Sequence, residues 1–386
     1  MTTICARSAA AAALLLPAIV AAQYNVEVLH SPAVPSVRSY GWGAGGGQQV
    51  GHTNIFLGGP SNALLWNGTA GSFVNLHPVG FDASYGMAAD GGRQVGWREV
   101  HSPIAHAYAT MWSGTAKSWT NLHNDAYLNT AATGIGGGQQ VGVGNTTGSI
   151  YEALLWQGTP ESVVNLHPAG DYRVSRADDT DGSQQVGTVE TGPKGILHAA
   201  LWSGTAGSFV DLHPEGYTHS EAYGVAIDQQ VGWAATGGTT HAILWGGSSK
   251  SFVDLNPNIQ PNWGSQALGT NGTQQAGFAA LSVNGLPQLR ATVWSGSRES
   301  IFDLHNMLPS QFIGVGAESR AMGIDEFGNI VGWAADLSDG GRAKAVLWRP
   351  VPEPGTGIAI ATLMALFAIR KCEMTHRLRF GSRRRK

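Results

Sequence analysis

Ser175-Arg-Ala-Asp-Asp-Thr-Asp sets an arginine two positions before a pair of adjacent carboxylates. Aligned with Ser319-Arg-Ala-Met-Gly-Ile-Asp, the stretch puts Asp178 where related stretches carry Tyr, Met or Leu, and Asp179 where they carry Gly. A carboxylate at such a place is costly if buried. The departure therefore marks either a grafted site or a loosened acidic turn. Three residues before the recurring Gly stand Arg38, Ala83, Ala131, Arg176, Glu221, Gln266 and Arg320. If that position opens the same strand in every repeat, these residues ring one mouth of a central channel. A mixed ring of Arg, Glu and Gln can hold a polar or anionic ligand such as a sugar acid. Arg38, Arg176, Asp178, Asp179, Glu221 and Arg320 are the candidate ligand-binding residues.

Other chemistry is weaker. A Leu-His pair recurs at His30, His77, His123, His167, His213 and His305, with Leu-Asn at Asn256. One per repeat, these side chains lie too far apart around a rim to converge on one ion, and they are read as structural. Pro follows several of them, consistent with a rigid exit turn. The Gly-rich runs at 43–47 and 134–138 lack the helix that a dinucleotide fingerprint needs, because a Gln-Gln-Val-Gly strand follows each. Asp179-Thr-Asp-Gly lacks the remaining oxygen ligands of a calcium loop. No nucleophile motif stands out, so no catalytic residue, metal ligand or cofactor is assigned.

The elements that would position these residues are written as a repeat. An apolar residue and Trp recur at Trp66, Trp112, Trp156, Trp202, Trp245, Trp294 and Trp348. A Gln-Val-Gly or close variant ends at Gly51, Gly96, Gly142, Gly187, Gly232, Gly277 and Gly332. Each unit reads as four short runs rich in β-branched and aromatic residues, bounded by Gly, Ser, Asn or Asp. The links are too short for crossover helices, so the strands are antiparallel. Four strands in about 45 residues is one propeller blade. The first marker, in Asn25-Val-Glu-Val-Leu-His, matches a fourth strand, and the last unit, from Ser319 to Trp348, supplies only three. An N-terminal strand thus completes blade seven, and the fold class is an all-β, seven-bladed β-propeller of four-stranded antiparallel blades closed by that strand. The Ala/Gly-rich first strand of each unit suits a crowded hub, and the tryptophans suit the wider gaps between blades.

The two ends carry processing signals rather than fold. Arg7, an apolar run from Ala9 to Ala22, and Val20-Ala-Ala before Gln23 read as a secretory signal over residues 1–22. Residues 23–350 are the propeller. Residues 351–386 divide into Val351-Pro-Glu-Pro (351–354), an apolar stretch (355–369) and a basic tail (370–386). As a transmembrane helix the apolar stretch reaches about 22 Å against a hydrocarbon core of about 30 Å, a marginal span that flanking Lys and Arg extend by snorkelling. Cys5 and Cys372 both fall in these end segments, so the exported part forms no disulfide framework. The basic tail also hides charge: the chain totals -3, and the part between the signals is more acidic than that. Such a surface argues against nucleic acid as a partner.

Two family resemblances follow from these residues. Ala321-Met-Gly-Ile-Asp-Glu-Phe-Gly-Asn-Ile-Val-Gly-Trp and His241-Ala-Ile-Leu-Trp resemble the HAF-type extracellular repeat, over nearly the whole exported part, with Leu-His-Pro at the unit end as a departure. That resemblance implies export and a surface setting, and no particular chemistry. Pro352-Glu353-Pro354, the short apolar helix and the basic end resemble the PEP-CTERM sorting signal of Gram-negative bacteria, which implies an exosortase-type processing enzyme as partner. The tail departs by running on to Lys386. The expected function is that of an exported cell-surface or extracellular-matrix-associated binding or structural module, with exopolysaccharide or another surface glycan as the ligand class. The rival is a glycan lyase or hydrolase with its site at the channel mouth, which would need an acid and a base in one pocket.

Overall fold

The computed structural model describes residues 23–351 apart from 32–36, 55, 57, 58, 103, 147–149, 194, 258, 261 and 262. The signal segment, Pro352, Glu353 and Pro354, the apolar stretch and the basic tail lie outside the described residues. Among the described residues no helix is long and apolar enough to cross a membrane.

Seven four-stranded antiparallel sheets follow one another along the chain. Blade four is representative: Tyr172–Thr180, Gln185–Thr191, Ile196–Trp202 and Val210–Asp211, each paired with the next. Blade seven takes Ser319–Ile324, Ile330–Asp336 and Arg342–Pro350, and its fourth strand is Tyr24–Val28 from the other end of the chain. Tyr24 pairs with Pro350 and Val28 with Val346, and the Val351 N–H donates to the Gln23 carbonyl at 2.8 Å. The expected ring closure is therefore present, and both ends of the propeller leave from the same face. That face, where each inner strand turns back, is called the rear; the inner strands begin at the front.

The repeated residues have repeated jobs. The seven tryptophans are at most 1 % exposed and pack between neighbouring blades. Trp245, for example, lies with Val186 and Leu201 of blade four and Ala222 and Ile243 of blade five. The Gln of Gln-Val-Gly ties three pieces together. Gln185 Oε1 accepts the Gly204 N–H at 2.7 Å, holding the turn between the third and fourth strands, while Nε2 donates to Gln139 Oε1 of blade three at 2.9 Å. In blade seven the third strand has no such turn, since the fourth strand comes from the N-terminus. Ile330 accordingly stands where the other blades carry Gln, and it is fully buried.

Every inner strand carries a bulge opposite the Gly of Gln-Val-Gly, and that of blade four has a second register shift between Tyr172 and Val174. The register shifts between Gly41 and Gly43, Gly86 and Ala88, Ala132 and Gly134, Ala177 and Asp179, Ala222 and Gly224, Ala267 and Gly269, and Ala321 and Gly323. A bulge bends its strand and re-aims one side chain. Here it also pushes a carbonyl at the partner strand. A Cβ at Gly187 would stand 2.0 Å from the Arg176 carbonyl oxygen, and one at Gly51 would stand 1.9 Å from that of Tyr40. Only glycine fits opposite the bulge.

Candidate functional site

The residues at the seven bulges are Trp42, Met87, Thr133, Asp178, Tyr223, Leu268 and Met322, and all seven line one cavity of about 420 Å³ in the central channel. The hub around it is tight: a Cβ on Gly134 would lie 2.6 Å from the Asp179 Cα, and one on Gly323 would lie 3.2 Å from the Gly43 Cα. Small residues beside the bulge bring the inner strands together, and the bulge residue fills what space is left. Six blades put an apolar, aromatic or neutral polar side chain there. Blade four puts a carboxylate.

The polar wall belongs to blades four and five. Arg176 donates from Nε to Asp178 Oδ2 at 2.9 Å and from Nη2 to Glu221 Oε2 at 2.6 Å. The Tyr223 hydroxyl donates to the same Glu221 oxygen at 2.8 Å and accepts the Trp233 indole N–H at 3.3 Å. The two carboxylates hold the Arg176 guanidinium charged, raising its pKa further, and burial beside Glu221 pushes the Tyr223 phenol up to about 12. Burial raises the Asp178 carboxyl, and Arg176 offsets part of that rise. Asp179 Oδ2 accepts the Val225 N–H of blade five at 3.1 Å, a bond that a Gly at this place cannot make. Enclosure in the hub drives the Asp179 carboxyl up to about 7, with its backbone hydrogen bonds working the other way. No ion pair is formed by Asp179 among the described residues.

Across the channel Trp42 lines the cavity, backed by an aromatic cluster from blades seven, one and two that does not itself line it. The Trp42 indole donates to His52 Nδ1 at 3.0 Å and stacks on that imidazole, with ring centroids 5.9 Å apart. His52 in turn meets the edge of Tyr85, which stacks on Trp97 at 4.8 Å. Tyr40 meets Trp333 edge-on at 5.9 Å. Burial lowers the His52 pKa to about 4, so the ring stays a neutral acceptor for Trp42. Arg320 lies over Phe278 and Trp333, 4.6 and 5.5 Å from the ring centroids, and pairs with Glu318 at 3.0 Å.

The structure brings Arg176, Asp178 and Glu221 into direct contact, and lines one cavity with Asp178, Asp179 and Arg320. It does not bring Arg38 to them. The register pairs Arg38 with Asn54, whereas the residues equivalent to Arg176 and Glu221 are Tyr40, opposite His52, and Tyr85, opposite Trp97. Counting from glycine misplaces blades one and two by two residues, because their Gly41 and Gly86 precede the bulge while Gly134, Gly224, Gly269 and Gly323 follow it. The ring also lies within the strands: Arg176 is central in Tyr172–Thr180. Both arginines of the cavity already have carboxylate partners, so neither offers free charge to a sugar acid. The aromatic wall was not anticipated. Its signal was present in the residue after each Gln-Val-Gly, which is His52, Trp97, Trp233, Phe278 or Trp333 in five of the blades.

The recurrent histidines do not converge. Each bonds a hydroxyl of the following blade, as His167 Nδ1 does with Ser175 Oγ at 2.8 Å. Among the described residues, no three metal-ligating side chains form a group.

Fold and site together define a seven-bladed β-propeller with a two-sided cavity in its channel. No protein-family model matches the sequence, and no curated protein matches it. Among solved structures, the β-propeller domain of the Trilobed protease from Pyrococcus furiosus is similar in fold, with a TM-score of 0.53 at 9 % identity over 81 % of this chain and 95 % of that one. That domain has an open velcro topology, in contrast to the closed seam here. A puromycin hydrolase gives a TM-score of 0.48 at 11 % identity over 85 % of this chain, which spans only 57 % of the hydrolase. TolB from Acinetobacter baumannii gives 0.38 at 10 % identity over 59 % of this chain and 62 % of that one. At such identities the likeness speaks to fold alone.

Proposed function

We propose that this protein is an exported bacterial binding module, held at the cell surface or in the extracellular matrix, which takes a saccharide into the cavity of its channel. The observation that carries the reading is the two-sided wall. Sugar rings offer an apolar C–H face and an edge of hydroxyls, and the cavity sets the Trp42 ring, held by His52, across the channel from Asp178, held by Arg176, and Asp179. A cavity of about 420 Å³ falls within the size range of small-ligand sites. Export and retention rest on Val20-Ala-Ala, on Pro352-Glu353-Pro354 and on the basic tail, with an exosortase-type enzyme as processing partner and a membrane helix at 355–369 before processing. Since both ends of the propeller leave from the rear, an anchored tail would turn the front face outward.

A second reading, a glycan hydrolase or lyase, is favoured by one observation: Asp179 keeps a proton near neutrality beside an arginine-paired Asp178, and a general acid needs such a proton. One screen addresses both. The intact chain is applied to a glycan array and to the same glycans in solution, alongside an Arg176→Ala, Asp178→Ala double variant and a Trp42→Ala variant. Binding without product that is lost in the variants supports the module. Product formation favours the enzyme, and absence of both sinks the channel as a glycan site.

A further inference from the structure

The charge of the cavity wall is unbalanced. Asp178 and Glu221 share the one guanidinium of Arg176, and Asp179 lines the same space with hydrogen bonds but no cation. Arg320, the other cation of the lining, is spent on Glu318 and on the faces of Phe278 and Trp333. His52 adds no charge, because its Nδ1 is occupied by the Trp42 N–H. Carboxyl groups thus outnumber cations in a lining that also presents the Trp42 ring. An electron-rich ring face and carboxylates both favour a positive guest, and desolvation strengthens that preference. An acidic guest would meet the Asp178 and Asp179 carboxyl groups and no cation without a carboxylate partner.

We propose that the cavity takes an amine-bearing, cationic saccharide, with Asp178 as the counter-charge of its ammonium group, Asp179 as the acid that ionises beside it and gives its proton to the buffer, and Trp42 as the surface for a ring face. Its nitrogen would donate to carboxylate oxygens that no protein cation fully satisfies. The Trp42 ring is held ready by its bond to His52, so little ordering is needed on binding. The inference rests on the channel being the saccharide site, and goes beyond it by assigning the sign of the ligand.

Calorimetric titration of the intact chain with a glucosamine tetramer, its N-acetylated counterpart and a galacturonate tetramer tests it, in low-salt buffer at neutral pH, where Asp179 is partly ionised and an arriving ammonium completes its ionisation. The glucosamine tetramer is expected to bind at least about tenfold tighter than the N-acetylated one, with galacturonate weakest. That preference should shrink to parity in Asp179→Asn, which keeps the shape of the side chain, whereas Trp42→Ala should weaken both sugars alike. An N-acetylated or galacturonate tetramer bound as tightly as the glucosamine tetramer by the unaltered chain overturns the charge assignment and leaves the channel as a glycan site. No binding of any of the three overturns both.

Discussion

The imidazole Nδ1 of His305 lies 2.7 Å from the hydroxyl of Ser319, in the next blade. Ser319 Oγ also accepts the Ala291 N–H at 3.0 Å, which leaves its own hydrogen free to point at the imidazole. Burial lowers the His305 pKa, and in the neutral ring Nδ1 can accept that hydrogen. The same relay joins His30 to Ser39, His77 to Ser84, His123 to Thr130, His167 to Ser175 and His213 to Ser220. Blade five substitutes Asn256, whose Oδ1 accepts the Ser265 O–H at 2.6 Å. Leu-His is therefore a brace between blades.

This brace should make the fold acid-sensitive. Burial and the nearby Arg290 lower the His305 pKa from 6.5 to about 4, and burial with Lys344 does the same for His30. Between those values the unfolded chain binds more protons than the folded one, so stability rises with pH there. The contribution is whole above about 6.5 and is lost as pH falls toward 4. Asp179, raised to about 7, works in the opposite direction, so the informative quantity is a difference. His305→Asn, copying blade five, should flatten the pH dependence of the urea midpoint relative to the parent between pH 6.5 and 4. Parallel curves would show that His305 is not part of the acid response.

The Gln of Gln-Val-Gly should matter for one unpaired amide. Gln185→Ala leaves the Gly204 N–H without its acceptor and removes the bond to Gln139. A loss of about 1–3 kcal/mol is expected by denaturant unfolding. The same change made at Ser203, on the exposed turn beside it, should be nearly silent.

Much of this was legible in the sequence because repetition averages out local ambiguity. Three markers counted seven times give blade number, strand order and the seam, since Asn25-Val-Glu-Val-Leu could pair only with the incomplete last unit. The site was half legible. Asp178 and Asp179 stand out because they break a rule. The aromatic wall and the true place of Arg38 depend on where each bulge falls, and a bulge shifts register without changing composition. The glycine facing it was read as part of a strand motif, although it is the residue that reveals the bulge.

The seven tryptophans should divide into six and one. Trp348 Nε1 donates to the Leu304 carbonyl at 3.0 Å, while among the described residues the indole nitrogens of Trp66, Trp112, Trp156, Trp202, Trp245 and Trp294 have no acceptor. Replacement by Phe removes similar volume at each position. At Trp348 it also strands a buried carbonyl. Trp348→Phe is therefore expected to cost about 1 kcal/mol more than Trp294→Phe in thermal or urea unfolding. Equal costs would mean that volume alone sets the role of both residues.

Arg176→Met tests the polar wall. Without the guanidinium, Asp178 and Glu221 face each other with no cation between them, so the Asp178 pKa, already raised by burial, loses its offset and rises further. The folded state then binds more protons than the unfolded chain, and the loss of stability is largest at neutral pH and shrinks as pH falls. The Arg176 side chain is still 41 % reached by solvent, so the loss is about 1–3 kcal/mol rather than that of a dry ion pair. A deficit that is constant from pH 7 to 4 would contradict the pairing as the source.

The seam offers the most direct test of how the ring is held. Tyr24–Val28 pairs along Val346–Pro350, and Tyr24 is buried against Leu304, Phe312 and Trp348. Blade seven is also joined to blade one without that strand, because the Ala345 N–H donates to Ser39 Oγ at 2.9 Å and Val331 and Leu347 pack with Leu64 and Trp66. Removing residues 23–28 should therefore lower stability without dispersing the blades. Tyr24, Val26 and Val28 together account for about 3–6 kcal/mol of buried side chain. The freed edge of Arg342–Pro350 would offer unpaired backbone groups to a second copy, so the shortened chain should also self-associate, as uncovered strand edges do. A lower thermal midpoint with a shift toward dimer on size-exclusion is the expected result. An unchanged midpoint would place the closure in the contacts between blades seven and one.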